Sequence, residues 1–247
     1  MTVAVVAILA VVAAGGVVAA GQLTDDRPVA QGERGPVLVV PGYGGNMVAL
    51  DEIVATLREQ GREVVAVRAV GRGTGDLRFQ AERLDAVARR VLDRTGAASV
   101  DVVGFSAGGV VARLWVKDGG RSLVRRVLTI GSPHHGTDTA ALAAEIAGSC
   151  SLACEQLVPD SDLLRQLNTG DETPDGPEWI SIASNADQTV TPTATASLDG
   201  ALNLVVQDLC PERATVHGGL PRDPVVLAAL TSALGNDAPK VPTGVSC

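Results

Sequence analysis

Aromatic residues are scarce in this 247-residue chain: two Trp, one Tyr and two Phe, 2% of the whole. With 46% of the residues apolar, the core has to be built from Val, Ala and Leu. Small β-branched side chains suit buried parallel strands and Ala/Leu helices cover them, so the shortage itself points to α/β layering. Basic residues are also in deficit, 20 Lys and Arg against 28 Asp and Glu, for a formal net charge of −8. That balance argues against nucleic acid as a partner, since covering a phosphate backbone takes a basic face. Histidine occurs only three times. No C-x-x-C pair or H-x-x-x-H spacing is present, which speaks against a zinc site. The glycine loops lack the G-x-x-x-x-G-K-[ST] and helix-opening G-x-G-x-x-G patterns of nucleotide sites. No metal or other cofactor is expected.

What is present begins with "MTVAVVAILAVVAAGGVVAAGQ", a charge-free apolar run ending in small residues. Residues 1–21 read as a secretory signal peptide with an A-x-A-like end, or as an N-terminal anchor, because the run is long enough to span a bilayer and no Lys or Arg precedes it. Either way the folded domain is expected outside the cytoplasm, secreted or tethered at its N-terminus. Four cysteines suit that compartment and allow three pairings. Proximity favours Cys150 with Cys154, leaving Cys210 for Cys247; the alternative is four buried free thiols.

Residues 22–36 are polar and rich in Gly, Pro and Asp, a flexible lead-in. From 37 to 247 the chain reads as one domain. "PVLVV", "EVVAV", "SVDVV" and "LVRRVLTI" are short apolar runs bounded by turn residues, and helix-periodic segments lie between them. Asn46 and Asp76 stand where helices begin, and Gly61 and Gly96 where they end. This alternation predicts a doubly wound, mostly parallel sheet of about six strands with helices on both faces. After Ile130 the rhythm breaks, and residues 137–178 read as a lid- or cap-like insertion following the fourth strand. Its Ala141, Leu142, Ile146, Leu163, Leu164 and Leu167 suit a lid or acyl-binding wall and suit plain packing on the domain equally. "EWISIAS" and "ALNLVV" resume the strands, and Asp223-Pro224 opens the last helix.

The chemistry concentrates at "DVVGFSAGGVVARLWV". Ser106 lies just past a strand end and just before a helix, framed by Gly104 and Gly108. A sharp turn there needs close packing, and it exposes Oγ beside a helix N-terminus whose N–H groups can hold an oxyanion. A serine hydroxyl also needs a base. Of the three histidines, only His217 leaves room for an acid between it and Ser106 in chain order; His134 and His135 read as pocket wall or scaffold. Asp187, at the end of a strand, is the favoured acid over Asp199 and Asp208, which look like ordinary solvated carboxylates. The loop "VVPGYGGN" offers the Tyr43 N–H as a second oxyanion donor beside that of Ala107.

The blocks "VLVVPGYGGN" (37–46), "VDVVGFSAGGVVARLWV" (100–116) and "VLTIGSPHHGT" (127–137), extended by "SIASNADQTVTP" and "VHGG", resemble the α/β-hydrolase lipases, and in particular the small secreted bacterial triacylglycerol lipase and esterase group. The resemblance implies an α/β-hydrolase fold lacking the first strands of larger members. It also implies ester or lipid hydrolysis, with Ser106 as nucleophile, Asp187 as acid and His217 as base, and a lipid–water interface as the place of work. Pro41 departs from the histidine that many lipases carry before this glycine, which alters the surroundings of the oxyanion loop. An acyltransferase or thioesterase using the same three side chains, and a non-catalytic binding module, are the alternatives.

Overall fold

A computed structural model describes residues 29–147 and 150–247; the proposed signal or anchor at 1–21 and the start of the lead-in lie outside the described residues. The elements in chain order are β1 (Val37–Val40), α1 (Asp51–Glu59), β2 (Val64–Ala66), α2 (Leu77–Thr95), β3 (Val100–Phe105), α3 (Ala107–Lys117), β4 (Val124–Ile130), α4 (Asp138–Ala147), α5 (Leu152–Gln156), α6 (Asp162–Leu167), β5 (Glu178–Ala183), β6 (Leu202–Val205), α7 (Val206–Leu209) and α8 (Pro224–Ala233). No helix among the described residues is long and apolar enough to cross a membrane.

The six strands form one sheet in the order β2-β1-β3-β4-β5-β6, every neighbouring pair parallel. This is the doubly wound architecture expected from the alternation of strands and helices. In β1 the side chains alternate: Leu38 and Val40 enter the core under α2 and α3, while Val37 and Val39 enter the core under α1 and α8. Both faces of the strand are fully apolar, as a covered parallel sheet demands. In α1, Ile53 and Leu57 lie one turn apart and are buried, while Asp51, Glu52 and Glu59 face water. Asp76 accepts the Arg78 N–H to cap α2, and Gly96 closes that helix at a left-handed φ of 68°. Asn46 receives the Val48 N–H, which opens a single 3₁₀ turn ahead of α1 rather than the helix itself. The last strand is shorter than the sequence suggested, because the chain turns helical at Val206.

The chain steps outward from β1 to β2, then returns past β1 to β3 and proceeds the other way. The loops after β1 and β3 therefore leave neighbouring strand ends in diverging directions. Open α/β sheets place ligand sites in the crevice at such a reversal.

Between β4 and β5 the insertion carries α4, α5 and α6. Leu163, Leu164 and Leu167 of α6 are buried in the same core cluster as Val110, Val111 and Leu114 of α3. These three leucines serve as packing and do not line an acyl wall. The side chains of Leu142 and Ile146 lie outside the described residues.

Candidate active site

Gly104 and Gly108 are required by space. A Cβ at Gly104 would lie 2.6 Å from the Gly108 carbonyl oxygen and the Gly109 backbone, and one at Gly108 would lie 2.4 Å from the Val40 carbonyl oxygen. The strain of the turn falls on Ser106 itself, at φ 54° and ψ −128°. A non-glycine residue held at such angles costs of order 1–3 kcal/mol, so its surroundings must over-determine it. They do: the Ser106 N–H donates to the Ile130 carbonyl at 2.8 Å, and the Ser106 carbonyl accepts from the Gly109 N–H at 3.0 Å.

The Ser106 Oγ lies 3.0 Å from His217 Nε2, and His217 Nδ1 lies 2.7 Å from Asp187 Oδ2. A carboxylate oxygen only accepts, so Nδ1 carries the proton and Nε2 presents its lone pair to the serine hydroxyl. The other Asp187 oxygen accepts the N–H groups of Thr189 at 2.7 Å and Val190 at 2.9 Å. These two bonds fix the carboxylate in the turn after β5. Asp187 is 6% exposed, so the pair is shielded from solvent. The Phe105 ring packs on the imidazole at 4.9 Å between centroids.

One set of contacts joins the Asp187 loop to the chain before His217, and a second ties that chain to the start of α8. Ser184 Oγ donates to the Thr215 carbonyl and accepts from Gln207 Nε2, whose amide also donates to the Arg213 carbonyl. Asp223 accepts from Arg213 Nε, from the Thr215 hydroxyl, and from the Val225 N–H that it caps at the start of α8. Burial alone would raise the Asp223 carboxyl, but the hydrogen bonds from Thr215, Arg213 and Val225 and the Arg213 charge outweigh it, and its pKa falls below the ordinary aspartate value. Disulfides join Cys150 to Cys154 and Cys210 to Cys247, and Arg213 reaches the Cys247 carbonyl at 2.9 Å.

The sequence reading missed Gly131. It follows β4 at a φ of 54°, and a Cβ there would lie 2.7 Å from Leu220 Cδ1 and 3.3 Å from both Asp187 Oδ2 and His217 Nδ1. The only available signal was a glycine directly after a strand in "LTIGSPHHGT". Asp199 and Asp208, the rival acids, are solvent-exposed.

His134 and His135 take other partners. His134 is fully buried; its Nε2 meets Thr129 Oγ1 at 3.0 Å, and Thr129 passes the chain of hydroxyls to Ser181 and on to the Ala196 carbonyl. Burial, with the positive charges of Arg113 and His135 nearby, drives the His134 pKa well below that of a free imidazole, so the ring is neutral. His135 pairs with Glu172 at 2.7 Å. Arg113 is pushed down to about 10 by burial; it donates to Asn168 and to the Glu172 carbonyl, tying α3 to the insertion.

In the loop after β1, Gly42 lies flush against Ser106: a Cβ there would come within 2.8 Å of Ser106 Cβ. Ala107 opens α3, so its N–H is among the amides that helix geometry leaves without an intrahelical partner. Tyr43 follows Gly42, its side chain half exposed, and its hydroxyl meets Ser151 Oγ at 2.9 Å. Among the described residues there is no His/Cys/Asp/Glu cluster able to hold a metal.

The topology is that of the α/β-hydrolase fold, and a hydroxyl, an imidazole and a carboxylate stand in line at the sheet's carboxyl edge. A family model described as the alpha/beta hydrolase fold matches residues 35–145. A triacylglycerol lipase of Pseudarthrobacter phenanthrenivorans is 32% identical over 120 residues, 46% of this chain and 37% of the relative. One from Burkholderia plantarii is likewise 32% identical over 120 residues, covering 46% and 33%. The chain thus spans little more than a third of the length of these curated relatives. Aspergillus fumigatus lipase B superposes with a TM-score of 0.77 at 22% identity, over 87% of this chain and 56% of that one. The mature Bacillus licheniformis lipase BlEst2 gives 0.60 at 21% identity, over 72% and 84%. The chain carries the α/β-hydrolase fold and is similar over part of its length to triacylglycerol lipases.

Proposed function

We propose that the protein is a serine hydrolase of carboxylic esters, with lipids as the favoured substrate class. The observation that carries this is the hydrogen-bonded line Ser106 Oγ, His217, Asp187, at 3.0 and 2.7 Å. In the first step, Ser106 Oγ bonds to the ester carbonyl carbon while His217 Nε2 takes the hydroxyl proton. The carbonyl electron pair moves onto oxygen, held by the Tyr43 and Ala107 N–H groups. Collapse of that intermediate breaks the bond to the alkoxy oxygen, which leaves as the alcohol with the proton from His217. Water repeats the sequence on the acyl-serine and releases the acid. Asp187 orients the imidazole and stabilises its charged form.

Lipid substrates are supported by the lipase names of the relatives. They are also supported by the exposed apolar side chains of Tyr43, Leu152 and Val216, carried by the oxyanion loop, the insertion and the histidine loop. Two disulfides favour an oxidising compartment outside the cytoplasm. Ser106→Ala is expected to lower kcat on a p-nitrophenyl ester by roughly 10⁴–10⁶-fold and to abolish labelling by an active-site organophosphonate. Turnover by that variant near the wild-type rate ends the proposal.

A further inference from the structure

The stretch Gly42-Tyr43-Gly44-Gly45 is the least constrained backbone a chain can offer, with Gly44 at φ 84° and Gly45 at φ 67°. An oxyanion donor works only if it is held in place before charge develops. Something must therefore immobilise Tyr43, and a closed circuit of contacts runs around it. On one side the Gly44 N–H donates to the Gly73 carbonyl at 3.4 Å, and Gly45 packs against Ala69. The residue after Gly73, Thr74, accepts the Ala153 N–H of α5 at 3.1 Å. Gln156, at the end of α5, accepts the Leu77 N–H at 2.8 Å and donates to Asp76 at 2.7 Å. At the start of α5, Ser151 caps Cys154 N and meets the Tyr43 hydroxyl at 2.9 Å, which closes the circuit. The Cys150–Cys154 disulfide, with Cα atoms 5.7 Å apart, ties off the short segment that presents Ser151.

We infer that Ser151 is a positioning residue: segment 150–156 of the insertion braces the oxyanion loop through the Tyr43 hydroxyl. The inference rests on the proposed hydrolase reading, in which Tyr43 supplies an oxyanion N–H. Under it, this part of the insertion stays docked during turnover. The Tyr43 side chain acts through its own backbone amide and touches no reacting atom.

The test is a double-mutant cycle with Tyr43→Phe, Ser151→Ala and the pair, assayed on a water-soluble p-nitrophenyl ester. Complete loss of one oxyanion donor costs 10²–10³-fold in kcat, so loosening it should cost less, about three- to tenfold, with KM unchanged. Because both single variants break the same bond, the double variant should be no slower than the slower single one. Ser151→Thr, which keeps the hydroxyl, should restore kcat. Tyr43→Phe leaves the α5 cap intact, so it reports on the brace even if Ser151→Ala loosens the helix. Single variants within 1.5-fold of wild-type kcat, or losses that multiply in the double variant, overturn the inference. Ser106→Ala run alongside separates the cases. If it is inert while both brace variants are fully active, only the brace falls; if it is active, the hydrolase reading falls as well.

Discussion

Two buried aspartates at opposite ends of the sheet make a useful comparison. Asp101, on β3 at the amino edge, is fully buried and accepts from Arg62 Nη2 at 2.6 Å and from Arg125 Nε and Nη2 at 2.8 and 2.6 Å. Asp187, at the carboxyl edge, accepts from one imidazole and two backbone amides. Both carboxylates are saturated with donors, and both organise loops distant in sequence. At Asp101 the partners are two guanidiniums, which donate hydrogen bonds and accept none. They reach onward to the carbonyls of Gly35 and Leu234, and to Gln31 and Gly235, pinning the lead-in and the end of α8 to the sheet. At Asp187 the partner is an imidazole whose second nitrogen lies on a partly accessible hydroxyl, the arrangement that the proposed proton transfer needs. A buried carboxylate fastens loops where its partners only donate, and orients a reactive group where its partner also faces an accessible hydroxyl.

Asparagine at each position separates the two roles most sharply. Asp187→Asn should lower kcat about 10⁴-fold, because an amide at that site no longer selects the Nδ1–H tautomer, while the melting temperature changes little. Asp101→Asn should do the reverse. It strands Arg62 and Arg125 in the interior without a counter-charge, at a cost of about 3–5 kcal/mol, and kcat of the folded fraction should be unchanged. Parallel ester kinetics, thermal melts and urea melts measure both. Equal kinetic losses at the two sites would erase the distinction.

Gly131→Ala probes the carboxyl edge with a smaller change. The new methyl meets the movable end of Leu220 and crowds the Asp187–His217 contact, at a φ that alanine rarely adopts. Displacing the imidazole by a fraction of an ångström should cost roughly 10–10² in kcat. The same substitution at Gly61 adds a methyl at a similar φ of 72° with open space around it. It should lower stability by about 1 kcal/mol and leave kcat alone. A matched kinetic loss at Gly61 would mean that general strain, not the site, explains the effect.

The fold was legible because its strands are short apolar runs and helices such as α2 and α8 open on aspartate caps, so the alternation could be read residue by residue. Ser106 was legible because the steric demand for Gly104 and Gly108 leaves a pattern in the sequence. His217 was legible by enumeration, since three histidines leave few choices. What could not be read depends on contacts across long separations. Gly131 matters only because the His217 loop folds back over β4, and the arginine pair at Asp101 comes from residues 62 and 125, far apart in the chain. The α6 leucines had the same spacing whether they faced substrate or α3, and only tertiary packing decides such a case.

The smallest effect concerns Asp223, which resembles both aspartates in part: it pairs with a guanidinium, yet its partners Arg213 and Thr215 belong to the strand of chain leading to His217. Asp223→Asn weakens the α8 cap and the Arg213 pair, worth about 1–2 kcal/mol together, and should lower kcat only two- to fivefold by loosening the loop before His217. The sign of its pH dependence follows from the lowered carboxyl. Asp223 is easier to ionise in the folded chain than in the unfolded one, so its stabilisation is fully present above the ordinary aspartate range and disappears as pH falls through the folded-state value. The stability gap between wild type and Asp223→Asn should therefore be widest near neutral pH and close on acidification. A gap that stays constant down to the acid limb would show that the carboxylate charge contributes nothing there, leaving only the neutral hydrogen bonds to hold the histidine loop.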